Sequence, residues 1–169
     1  MHAPPRAAAT LRPVVIGALL LGALFGVAPR AAAQQVVTLA TTRNLDFGRF
    51  AAVGGGAITV SPAGARSKSG AVVLLNSPAV NSASFNVGKS TNGNSKLAIV
   101  ITLPANNTVR LVSGANSMAV NNFTSSPTSI ASIPNNGSVT LDVGATLSVA
   151  PAQPAGSYSG TFAVTVNYQ

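Results

Sequence analysis

The sequence predicts an all-β domain, and three observations carry that expectation. From Gln34 onward, short β-branched and aromatic runs alternate with clusters of Gly, Asn, Ser and Pro. No stretch keeps the apolar period near 3.6 residues that marks an amphipathic helix. Residues 97–103 alternate Leu97, Ile99, Ile101 and Leu103 with Ala98, Val100 and Thr102, so both faces are apolar or small. Such a strand is expected in the middle of a structure covered on both sides. About ten strands at this spacing fit an immunoglobulin-like β-sandwich, with a small barrel as the alternative.

Taken in order, strands are expected at residues 45–52, 57–61, 71–75, 84–87, 97–103, 109–112, 118–124, 138–143, 145–149 and 157–168. The breaks have turn chemistry. Gly54, Gly55 and Gly56 can take positive φ in a hairpin turn, Pro62 and Pro104 interrupt ladders, and Asn92-Gly93 and Asn136-Gly137 suit tight turns. In the last strand, Tyr158, Phe162, Val164, Val166 and Tyr168 share one face while Thr161, Ala163, Thr165 and Asn167 share the other. One face belongs to the core and the other to water.

The first 33 residues have the pattern of a secretory signal peptide. Arg6 and Arg12 supply a basic start, residues 14–28 an apolar run, and Ala31, Ala32 and Ala33 a small-residue cleavage site. The apolar run is shorter than the ~20 residues a spanning helix needs. The chain is therefore expected to meet a membrane only through this signal and to be exported to the periplasm or outer cell surface of a bacterium. Removing residues 1–33 of 169 leaves 136 residues, enough for one domain with a core.

Arg6, Arg12 and Arg30 leave with the signal, so seven basic residues remain against Asp46 and Asp142, a net charge of +5. The basic residues are scattered rather than clustered with aromatics, which argues against nucleic acid as a partner. Arg66 and Lys68 are close neighbours and suggest at most weak contact with anionic envelope polymers. The chain has no cysteine despite a destination where disulfides form, so its stability has to come from packing and strand pairing.

Catalytic chemistry is nearly absent from the composition. The single histidine, His2, lies in the signal, there is no Glu or Cys, and Asp46 and Asp142 are the only side-chain carboxylates. A Ser-His-Asp triad and a His or Cys metal site are excluded in the exported chain. The expectation is a non-enzyme without a cofactor, with both aspartates on wet faces or bonding turns. Asn106, Asn122 and Asn136 open acceptor patterns for N-glycosylation, but in so Asn-rich a chain they are read as turns.

The segments Leu45-Asp46-Phe47-Gly48-Arg49-Phe50, Ile58-Thr59-Val60-Ser61-Pro62 and Gln153-Pro154-Ala155-Gly156-Ser157-Tyr158, continuing to Tyr168, resemble domain-of-unknown-function family 4402 of secreted bacterial proteins. More distantly the chain resembles spore coat U proteins and chaperone–usher pilins. The pilin resemblance implies a pilin-like sandwich lacking one strand and a last strand gripped by a periplasmic chaperone. On that basis Gly156, Phe162, Val164, Val166 and Tyr168 would form the chaperone-facing and complementation row. Residues 34–42 would be an N-terminal extension preceding a domain at 43–169, with Val37 and Leu39 as donor-strand anchors.

The function expected from that resemblance is a fimbrial, pilin-like structural or adhesive subunit, assembled with like subunits and a chaperone and usher by β-strand complementation. The alternative is a self-contained secreted binding module for an envelope glycan or a protein ligand, working through loops such as 62–70 or 125–137. In that case residues 36–40 pair within their own domain.

Overall fold

The computed structural model describes residues 37–89, 98–134 and 137–168, and all of them belong to one compact unit. The expected signal peptide at 1–33, with His2, and the Asn92-Gly93 turn lie outside the described residues. Nine strands are described: β1 (Val37–Arg43), β2 (Phe50–Val60), β3 (Arg66–Leu74), β4 (Ala83–Lys89), β5 (Ile99–Thr102), β6 (Val109–Ser113), β7 (Asn116–Ser126), β8 (Ser138–Val149) and β9 (Thr165–Tyr168). They form a seven-stranded sheet and a two-stranded sheet of β5 and β9, so the fold is all-β with two sheets. Among the described residues no helix is long and apolar enough to cross a membrane.

The organising strand is β8. At Val143 it pairs with Ala83 of β4 on one side and Ser125 of β7 on the other, and at Leu147 with Ile58 of β2 and Val120 of β7. Strands β4 and β2 therefore follow one another along the same edge of β8, and Gly144 lies at the changeover. A Cβ there would sit 2.3 Å from the carbonyl oxygen of Val60 and 2.6 Å from the carbonyl carbon of Ser61. The expected break between residues 143 and 145 is thus a continuous strand, and the glycine is there for close approach rather than for a turn.

The run Gly54-Gly55-Gly56 differs from expectation in the same way. It lies inside β2, which pairs with β3 on both sides of a register shift between Ala52 and Gly56. In a straight ribbon, Arg66 and Leu75 would lie about 30 Å apart at ~3.3 Å per residue. Yet Arg66 Nη1 lies 3.2 Å from the Leu75 carbonyl oxygen and Nη2 lies 2.6 Å from that of Arg49. The β2–β3 ribbon is folded back on itself, and the corner falls where side chains are missing. A Cβ on Gly56 would meet the Ser69 oxygen at 2.3 Å, and Gly70, at φ +71°, would meet the Gly55 oxygen at 2.5 Å. Bends of this kind let one strand serve two layers.

The core lies in two clusters. One gathers Ile58, Val60, Val72, Met118, Val120 and Leu147, and the other Phe85, Val87, Ile99, Ile130, Leu141 and Val143. Leu45, Phe123 and Phe162 touch both. Each fully buried aliphatic side chain stabilises the fold by about 1.5–3 kcal/mol, which is how the chain does without disulfides.

Strand β5 corrects a second expectation. It pairs with β9 and is joined to Ile130 by an isolated bridge, and Val100 remains 41% exposed. Only one face of this apolar strand is covered, by the second cluster through Ile99 and Ile101.

Candidate strand-exchange site

The N-terminal segment expected as a donor is β1, and it pairs antiparallel with β4 of its own chain. Val37 faces Lys89, Leu39 faces Val87 and Thr41 faces Phe85, with a register shift between Thr41 and Arg43. Strand β1 lies at one end of the larger sheet. Its anchorage is light: Val37 and Leu39 are half-buried, and residues 40–43 are exposed. Thr42 Oγ1 donates to the Ser84 carbonyl oxygen at 3.0 Å. Arg43 Nε donates to the Ser82 carbonyl oxygen at 2.9 Å, and its Nη2 reaches Asp142 at 3.4 Å. That ion pair is half in water and contributes little.

The C-terminal row lies beside β1. Strands β1 and β9 approach each other, while the ladder of β9 runs to β5, pairing Tyr168 with Ile99 and Val166 with Ile101. Val164 and Val166 pack on the same cluster that receives Val37 and Leu39. The fold thus brings the N-terminal segment and the C-terminal row onto one hydrophobic cluster.

The expected long strand 157–168 is regular only at 165–168; before that, Ser159 makes an isolated bridge to Val112. Burial nevertheless alternates from Thr161 to Asn167. Tyr158, Phe162, Val164 and Val166 are half-buried, and Thr161, Ala163, Thr165 and Asn167 are exposed. Phe162 stands edge-on to Phe85, with ring centroids 6.2 Å apart, and lies 5.2 Å from Phe123. It locks this segment to both clusters where no ladder does.

Two further contacts fix the entry to the segment. A Cβ on Gly156 would meet the Ser113 hydroxyl at 2.6 Å, so this glycine permits a close approach, although the ladder begins only at Thr165. The Tyr158 hydroxyl donates to the Pro154 carbonyl oxygen at 2.8 Å and accepts from Gln153 Nε2 at 2.9 Å. This closes the bend at 153–158. Tyr158 was legible in sequence only as an apolar-face residue; its second role rests on its hydroxyl.

An open groove of about 1160 Å³ runs between residues 44–52 and 153–162, over a floor that includes Leu111, Met118, Phe123 and Leu147. Phe50–Ala52 pair with β3, while the ladder of β2 to β8 begins at Gly56. Ser159 is bridged on the side toward β6. The groove follows from the folded ribbon and has no local signature in the chain.

The aspartates have structural partners. Asp46 Oδ1 accepts from the Gly48 amide at 2.7 Å, and its backbone exchanges hydrogen bonds with Asn81. Asp142 faces Arg43. Burial lowers the pKa of Arg66 from its ordinary value, and the nearby charge of Asp46 opposes that shift. Among the described residues no group of three His, Cys, Asp or Glu side chains could hold a metal ion.

Most described residues of the loops expected as alternative binding surfaces, 62–70 and 125–137, are exposed, though part of each is strand or core. Residues 66–70 belong to β3, leaving a turn around Pro62, and Ile130 and Ile133 of the 125–137 segment are buried. No curated protein and no solved structure matches the chain. The family model described as a domain of unknown function, DUF4402, matches residues 37–168, and the chain belongs to that family.

Proposed function

We propose that this chain is a secreted, non-enzymatic structural subunit of the bacterial envelope that assembles by exchanging its N-terminal strand. One observation carries the proposal: β1, a lightly held strand at the end of the sheet, pairs with β4 and comes near β9 on a cluster also built by the C-terminal row. An identical strand from another molecule can make the same backbone bonds and place Val37 and Leu39 in the same positions. Head-to-tail exchange is a heterologous contact and propagates into a fibre. The chain closes on itself when alone and joins others at high concentration. The tyrosine closure at Tyr158 supports an immunoglobulin-like or pilin-like sandwich, because such corners recur in Greek-key sandwiches.

The test is deletion with rescue. Removing residues 34–43 is expected to lower the melting temperature and expose a site for a peptide of the same sequence. Added peptide then restores stability in a saturable manner. Unchanged melting without the segment contradicts exchange.

The competing reading is a closed binding module, favoured by the pairing of β1 with its own β4. It predicts a monomer at every concentration.

A further inference from the structure

We draw no further inference here: the strongest candidate, the open groove between residues 44–52 and 153–162 over Leu111, Met118, Phe123 and Leu147, is an unpartnered apolar cleft, and nothing in the structure shows what covers it.

Discussion

Arg66 Nη2 lies 2.6 Å from the carbonyl oxygen of Arg49, although the two residues stand at opposite ends of the β2–β3 ribbon. With the bond from Nη1 to Leu75, this clasp pins the two arms of the folded ribbon, and its two acceptor residues, Arg49 and Leu75, line the open groove. Arg66 Nε is shut off from solvent without a hydrogen-bond partner, a cost accepted for the two carbonyl contacts. Arg66→Met keeps the stem and removes both bonds. The expected loss is about 1 kcal/mol, because the contacts are largely exposed. Urea unfolding measures it, and hydrogen exchange should quicken at Phe50–Ala52 before β8 changes.

The glycine at the centre of β8 gives a steric prediction. Gly144→Ala places a methyl group against the backbone of Val60 and Ser61, neither of which is a flexible side-chain end. A loss of about 2–3 kcal/mol is expected from overpacking. Gly64→Ala is the comparison: its Cβ would meet open space, but φ is +80°, so only the conformational cost of about 1 kcal/mol applies. Equal effects would show that the β4-to-β2 changeover does not depend on close approach.

Phe162 is expected to matter more than its incomplete burial suggests, because it spans both clusters. Phe162→Ala should cost about 2–4 kcal/mol, and exposed Thr161→Ala less than about 0.5 kcal/mol. A double-mutant cycle with Phe85→Leu should show coupling of about 0.5–1.5 kcal/mol, the range for an edge-to-face aromatic pair.

Tyr158→Phe removes the hydroxyl that joins Gln153 and Pro154 while leaving the ring in place. A loss of about 1 kcal/mol is expected in chemical denaturation, with the core packing of Phe162 intact.

Where residue alternation faces one core, the sequence was enough. Strands β4, β6 and β7 fall near their expected places, and Tyr158, Phe162, Val164 and Val166 share an inward face. Glycine was the main source of error. Gly54–Gly56 and Gly144 have turn-like identities, yet they sit within strands whose partners come too close for a Cβ. That reason lies in residues far along the chain, such as Ser69, Gly70 and Val60, and is invisible to a local pattern. The apolar run at β5 misled for a related reason, because hydropathy records the need for cover and not which side supplies it. The N-terminal segment was legible as a thin strand pattern, but its pairing with β4 and its nearness to β9 required the fold.

The most direct measurement of strand exchange uses the absence of native cysteine. Leu39 and Val87 are ladder partners, at a spacing of about 4.5–5.5 Å between Cα atoms that suits a disulfide. A Leu39→Cys, Val87→Cys chain is concentrated until it assembles, oxidised, and run on a non-reducing denaturing gel. Exchange predicts a covalent ladder of multimers that collapses to monomer on reduction and is absent when oxidation precedes concentration. Monomeric, internally bridged chains from assembled material would contradict it.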